Sequence, residues 1–293
     1  SKRNAEARIC AALRIEFAVT TMKLRTIFIA VCLLACAAFS LQAAPKTSAP
    51  LPFDNIAGSA GVIRITPVFH GTVQIEYRGK VVIVDPVSAG SYNKKADLIL
   101  ITHAHPDHFD KDAIMSLCKV TTQILVPDGI DNRNVDGGLS GGVTKLYGDT
   151  KSMVLNRIPI REVPMYNLVR GPNAGQKFHS KGEGNGYILT IGGKRIYIAG
   201  DTEVTPEMKR LKNIDMAFLP MNLPFTMTPQ EAASAAKAFR PRIVYPYHYR
   251  YPFDKANTNP QQFAVALKGT GIQVRLRNWY PADAVQRMIQ QKS

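Results

Sequence analysis

Thr102-His103-Ala104-His105-Pro106-Asp107-His108 follows directly on a short, mostly apolar run, Asp97-Leu98-Ile99-Leu100-Ile101. Three imidazoles and one carboxylate fall within six residues, where a strand is expected to end. A turn there can aim all four side chains into one pocket. Histidine is the commonest protein ligand for Zn²⁺ and aspartate is a hard oxygen ligand, so such a pocket suits divalent cations.

Working outward, the 293-residue chain has room for one large domain or two small ones, and its 45% apolar content supplies a sizeable core. Met22-Lys23-Leu24-Arg25 reads as a basic start, Thr26 to Phe39 is uncharged and of signal-peptide length, and Ser40-Leu41-Gln42-Ala43-Ala44 offers small residues for cleavage. Residues 1–44 are therefore expected to be an upstream extension plus signal peptide, residues 45–60 a flexible leader, and residues 61–293 the working domain. That reading makes the protein exported, periplasmic or secreted, without a membrane span in its mature form. A membrane anchor is the alternative, and Leu33-Leu34-Ala35-Cys36 also resembles a lipoprotein signal that would anchor the chain through Cys36.

The formal charge is +15; residues 1–44 carry six basic and two acidic side chains, so the remainder keeps +11. Such a surface attracts anionic substrates. No basic run or aromatic-interleaved stripe marks a nucleic-acid partner, and none is expected. Cys10, Cys32 and Cys36 lie in the leader, which leaves Cys118 alone: no internal disulfide and no cysteine-based zinc site. Cys118 ends a helical stretch and reads as a core residue.

Strand patterns recur from Gly61: Val62–Pro67, Val73–Tyr77 and Val81–Val84, the last two separated by Arg78-Gly79-Lys80. A helix over Asp110–Lys119 and a strand at Ile124–Pro127 follow. Asp128–Gly142 is Gly/Asp/Asn-rich and reads as a loop, with further strands near Lys145–Tyr147 and Ile158–Val163. Tyr187–Ile191, Gly192-Gly193 and Arg195–Ala199 form a hairpin signature. Asp215–Leu219 is a strand, and Thr228-Pro229-Gln230-Glu231 starts a helix to Phe239. Ile243–Pro246 is a strand ending at His248. A helix over Pro260–Lys268 and a strand over Gln273–Leu276 close the pattern. No internal repeat is visible. Strands first, then alternation with helices, predict an α+β protein of face-to-face sheets with helices outside.

The chain has six histidines; those outside the first cluster are His70, His179 and His248. Asp201, in Ile198-Ala199-Gly200-Asp201-Thr202, and His248 both stand at strand ends, where side chains can join the cluster. At this point the pattern His103-x-His105-x-Asp107-His108, Gly200-Asp201-Thr202 and Pro246-Tyr247-His248-Tyr249 resembles the metallo-β-lactamase superfamily. Val84-Asp85-Pro86 and Phe69-His70-Gly71-Thr72 are similar to the branch of L-ascorbate-6-phosphate lactonase and N-acyl-phosphatidylethanolamine phospholipase D. The resemblance spans about Gly61 to Tyr280.

The resemblance implies an αβ/βα four-layer sandwich with two divalent metal ions at one sheet edge, zinc first, with manganese or iron as alternatives. His103 and His105 would bind one metal, Asp107 and His108 the second; Asp201 would bridge them and His248 complete the second site. One position departs: Val163-Pro164-Met165-Tyr166 is followed by Asn167 where many relatives place a histidine. His179, on a loop folded back, is favoured as the missing ligand; Asn167 or a two-histidine site are the alternatives.

His70 reads equally as a pocket residue touching substrate or attacking water, in which case it would be catalytic with Asp107, and as a hydrogen-bonded strand-end histidine. Asp85 reads as a carboxylate that orients the histidine-rich turn by hydrogen bonds, or as a turn former before Pro86. Arg170, Lys177 and Lys181 are either anion-binding groups or solvated loop charges.

Two cations about 3.5–4 Å apart can share a hydroxide, available at neutral pH because metals lower the pKa of water toward ~7. The resemblance thus implies a metal-dependent hydrolase acting on a small, anionic ester, lactone or phosphodiester. The rivals are an iron-dependent thiol-oxidising dioxygenase on the same ligands, and a non-catalytic metal-binding module.

Overall fold

The computed structural model describes residues 52–128, 130, 142–146, 152–253 and 258–290. The expected signal peptide and most of the Asp128–Gly142 loop lie outside the described residues.

Two seven-stranded mixed sheets make up the fold. The first holds β1 (Asp54–Gly58), β2 (Gly61–Phe69), β3 (Thr72–Tyr77), β4 (Lys80–Val84), β5 (Leu98–Leu100), β6 (Gln123–Pro127) and β7 (Gly142–Leu146), paired in chain order. The second holds β8 (Ser152–Leu155), β9 (Ile158–Met165), β10 (Gly184–Ile191), β11 (Lys194–Ile198), β12 (Met216–Pro220), β13 (Ile243–Tyr247) and β14 (Gln273–Val274), also in chain order. In each sheet the first four strands are antiparallel and the last four parallel. One topology is therefore used twice, although the sequence shows no repeat.

Local chemistry explains the hairpins. Arg78-Gly79 joins β3 to β4 and Gly192-Gly193 joins β10 to β11, each with two positive φ angles (49° and 77°; 55° and 73°). Consecutive positive φ values give the tight turn whose twist matches paired strands. Asn156-Arg157 does the same between β8 and β9, with φ 47° and 65°.

Side-chain alternation sorts each strand between two faces. Met216 and Phe218 of β12 enter a central core with Ile63, Ile65, Val82, Tyr245 and Trp279, while Ala217 and Leu219 face a second, outer core. Helices α2 (Pro206–Lys209), α3 (Pro229–Phe239) and α4 (Pro260–Ala266) cover that outer face through Met208, Ala232, Ala236, Phe239 and Phe263. On the other sheet, Val82 and Val84 point to the central core and Ile83 outward, where α1 (Lys111–Leu117) packs Ile114 and Leu117. The layers run helix, sheet, sheet, helix. At α3, Thr228 Oγ1 accepts from Glu231 N at 3.1 Å and Glu231 Oε2 accepts from Thr228 N at 2.7 Å, the reciprocal cap read from the sequence.

Two expectations are corrected. The flexible leader placed at residues 45–60 contains β1, which pairs with β2 through Asp54–Gly58. Its pattern was hidden by small and polar residues; Asp54 instead anchors it, accepting from Tyr245 Oη at 2.9 Å and Arg277 Nε at 3.0 Å. The chain also does not close on the strand near Gln273. Helix α5 (Ala282–Gln290) follows and buries Ala284, Val285 and Met288 in the central core.

Candidate metal centre

β2, β4, β5, β9, β11, β12 and β13 all end at one edge, because each alternation of antiparallel and parallel pairing returns them to the same direction. The chain turns sharply there. His70 (φ 52°), Asp85 (φ 47°) and His248 (φ 47°) are each the first residue past a strand, and Gly200 (φ 66°) precedes Asp201. Left-handed backbone costs ~1–3 kcal/mol per non-glycine residue and persists where the surroundings enforce it. Each such break abandons strand alternation and swings a side chain over the edge. Gly71 makes room for the His108 ring: a Cβ there would lie 2.8 Å from His108 Cε1.

His70, His103, His105, Asp107, His108, His179, Asp201 and His248 all converge at this edge. One ligand atom from each of His103, His105 and His179 lies within 4.8 Å of the others, as does one from each of His70, Asp107, His108 and His248. Asp201 sits between the groups: Oδ2 is 3.2 Å from His248 Nε2, 3.5 Å from His179 Nε2 and 4.0 Å from His103 Nε2, and Oδ1 is 3.7 Å from His108 Nε2.

The hydrogen-bond network fixes which nitrogen each ring presents. Thr102 donates its hydroxyl to Asp85 Oδ2 at 2.6 Å and its N–H to Asp85 Oδ1 at 2.7 Å. His108 Nδ1 donates to Asp85 Oδ2 at 2.8 Å, and His103 Nδ1 donates to Thr102 Oγ1 at 3.0 Å. Both rings therefore turn Nε2 into the centre. Asp85 thus supports the histidine turn, one of the two readings open from the sequence.

Asn167 is not a substitute ligand. Its Oδ1 accepts from His179 N at 2.9 Å and His179 Nδ1 at 2.7 Å, and its Nδ2 donates to Phe225 O at 2.9 Å and Glu203 Oε1 at 3.2 Å. It holds His179 with Nε2 facing Asp201.

His70 is corrected as a candidate substrate contact. It is fully buried and does not line the cavity described below. Tyr280 Oη accepts from the backbone N–H of Tyr249 and of Arg250, each at 2.9 Å, so its proton goes to His70 Nδ1, also at 2.9 Å. His70 Nε2 then donates to Asp107 Oδ2 at 3.1 Å. Both ring nitrogens are committed, and the residue orients Asp107.

The electrostatics are those of a site arranged around positive charge. Burial and the neighbouring histidines push His103 well below its ordinary pKa and His70 down to about 3. Burial also brings His179 down to about 4, against the pull of Asp201. Burial alone would do the same to His108, but Asp201, Asp85 and Asp107 surround it and raise it to about 10. His108 Nε2, Asp201 Oδ1 and both nitrogens of His248 are buried with no hydrogen-bond partner among the described residues. Unpartnered buried imidazole nitrogens facing carboxylate oxygens are what a cation completes, so this donor set fits a metal.

A cavity of about 360 Å³ opens onto the centre. His105, Asp107, His179, Asp201 and His248 form its floor; Phe178, Phe225 and Tyr251 are on its walls, with Lys177 and Asn222. Of the three cations singled out in the sequence, Arg170 is tied to Glu231 at 2.8 Å and Lys181 to Glu207 at 3.0 Å. Lys177 alone of the three lines the cavity. Sequence reasoning passed over Asn222 and Tyr280. Asn222 shares with His248 the signal of standing just past an apolar run; Tyr280 gave none, because its role depends on contact with the distant His70.

Comparison with known proteins agrees with this geometry. The Beta-lactamase superfamily domain matches residues 64–248. A UPF0173 metal-dependent hydrolase of Thermococcus onnurineus is 33% identical, over 67% of this chain and 88% of its own. Another from Methanopyrus kandleri is 29% identical, over 77% of this chain and 100% of its own. Among solved structures, a metal-dependent hydrolase from Parabacteroides distasonis is 40% identical with a TM-score of 0.67, covering 78% of this chain and 98% of the other. The chain belongs to the metallo-β-lactamase superfamily, in the UPF0173 metal-dependent hydrolase family.

Proposed function

We propose that this metal-dependent hydrolase uses two divalent cations, zinc in the first instance, to cleave a small anionic ester, lactone or phosphodiester. The observation that carries the reading is Asp201, placed between the two groups with Oδ2 toward His179 and His248 and Oδ1 toward His108. His103, His105 and His179 would hold one cation, Asp107, His108 and His248 the other, and Asp201 both. Two cations so held lower the pKa of water and neutralise charge developing on the attacked group.

The chain's own residues do the rest. Asp85, Thr102 and Asn167 fix the rings, and His70 fixes Asp107. Phe178, Phe225 and Tyr251 exclude water from the apolar part of a substrate; Phe178 and Phe225 meet edge to face at 4.9 Å. Lys177 offers positive charge to an anionic group. The volume, at the low end for ligand pockets, selects a small molecule. The motifs around His70, Asp85 and His103 support placing the substrate near those of the lactonase and phospholipase D branch.

The test is a panel of γ-butyrolactone, p-nitrophenyl acetate, bis(p-nitrophenyl) phosphate and a chromogenic β-lactam, assayed with zinc and with manganese. Turnover of an ester, lactone or phosphodiester is the expected result. Metals bound without any turnover would overturn the reading, and iron with oxygen consumption would replace it. We further propose that residues 22–44 direct export; a mature protein starting near Ala44 in a fractionated host is the expected outcome, and retention of the full segment in the cytoplasmic fraction would refute it.

A further inference from the structure

Asn222 stands two residues past β12, the strand between β11 and β13. The ends of those flanking strands deliver Asp201 and His248. Adjacent strands lie about 4.8 Å apart, so Asn222 falls between two residues of the metal centre. Met221 N donates to His248 O at 3.4 Å and ties the two turns together.

The main chain of Asn222 is fully used. Its carbonyl accepts from Phe225 N and Thr226 N, both at 2.9 Å, and its N–H donates to Thr226 Oγ1 at 2.8 Å. The side chain is the opposite case. It is completely buried, it lines the cavity, and neither Oδ1 nor Nδ2 has a hydrogen-bond partner among the described residues. Asn167, which holds the His179 ring, uses both ends of its amide. A buried amide left unpaired opposes folding and is kept where something else completes it.

We propose that Asn222 is a specificity-determining residue that reads the substrate: Nδ2 donates to an oxygen of the scissile group, and Oδ1 accepts from an O–H or N–H on the neighbouring atom. The inference rests on the hydrolase reading above and sharpens its substrate class. A plain ester, lactone or phosphodiester only accepts hydrogen bonds and leaves Oδ1 unpaired. A small acyl compound with a hydroxyl or amide N–H beside the scissile group satisfies both ends. Sites built around buried polar groups reject analogues lacking the matching group far more strongly than apolar pockets reject a missing methylene.

The probes are α-hydroxy-γ-butyrolactone and γ-butyrolactone, with the zinc-loaded wild type and Asn222→Leu, which keeps the number and branching of the side-chain heavy atoms and removes both polar ones. The wild type is expected to prefer the hydroxylated lactone. In Asn222→Leu, kcat/KM is expected to fall on the order of 100-fold for the hydroxylated lactone and about 10-fold for the plain one, so the selectivity ratio drops about 10-fold. Zinc content is expected to stay the same. An unchanged selectivity ratio would overturn the proposal while leaving the hydrolase reading standing. If the zinc- and manganese-loaded wild type opens neither lactone, the lactone reading falls and the proposal falls with it.

Discussion

Tyr280 donates its hydroxyl proton to His70 Nδ1 across 2.9 Å, although 210 residues separate them. The consequence is carried to the metal centre, because His70 Nε2 donates to Asp107 Oδ2. Tyr280→Phe removes the group that fixes the His70 tautomer and leaves the Tyr249 and Arg250 N–H groups without an acceptor. Loss of such a supporting contact typically lowers metal affinity or activity 10- to 100-fold. Zinc affinity measured by chelator competition is expected to fall by about that factor. Wild-type affinity in the variant would show that Asp107 needs no such support.

Asp201 faces both histidine groups, so its loss is not confined to one of them. Asp201→Ala is expected to abolish turnover and lower metal content. Its removal takes away one of the three carboxylates around His108 and leaves the Asp85 contact in place, so the fold is expected to remain, as read by far-UV circular dichroism. Full turnover in Asp201→Ala would rule out the shared position assigned to it.

Most of this centre was legible in the sequence because its members announce themselves locally. His103, His105, Asp107 and His108 are contiguous, and Asp201 and His248 stand at the ends of apolar runs. What was not legible depends on contacts between distant segments. His179 was favoured over Asn167 in the sequence, but that Asn167 holds the His179 ring shows only once the loop folds back. His70 could be assigned only once Tyr280 was seen behind it. Strand β1 alternates in burial, but its sequence Asp54-Asn55-Ile56-Ala57-Gly58 does not alternate apolar with polar residues, and the ion pair of Asp54 that anchors it shows only in the fold. The doubled topology was invisible for a related reason: the fourth strand of each half ends near a carboxylate, but Asp85 supports a histidine whereas Asp201 faces the centre. Different duties at matching positions erase a repeat from the sequence while the backbone keeps it.

As a proposed ligand, His108 is expected to make metal uptake pH-dependent. In the metal-free protein its pKa is raised to about 10 by Asp201, Asp85 and Asp107, which outweigh burial. Its folded pKa exceeds the unfolded value of ~6.5, so its contribution to stability is complete below about pH 6.5 and is lost as pH rises through 10. A cation must displace that proton. Uptake of zinc at pH 7 is therefore expected to release about one proton from this ring, and affinity to rise up to about tenfold per pH unit between pH 7 and 9. Titration calorimetry in buffers of different ionisation enthalpy measures the release; none at pH 7 would refute the assignment.

Asp54 provides a test of the fold independent of the metal. Burial would raise its pKa, but hydrogen bonds from Arg277 and Tyr245 and the charges of Arg277 and Arg275 outweigh it and hold the carboxyl below its ordinary value. A carboxylate depressed in this way contributes stability above the unfolded pKa of ~3.9 and loses it as pH falls through the folded value. Hydrogen bonds to charged groups contribute ~1.5–3 kcal/mol each, with strong non-additivity within one cluster. Asp54→Asn keeps the shape, removes the charge, and is expected to cost about 2 kcal/mol at pH 7. Because protonation of the native carboxyl achieves the same neutralisation, the gap between wild type and variant is expected to narrow steadily below pH 4. Urea unfolding at pH 7 and pH 3 measures it; an equal penalty at both would mean that β1 is held by the shape of this cluster and not by its charge.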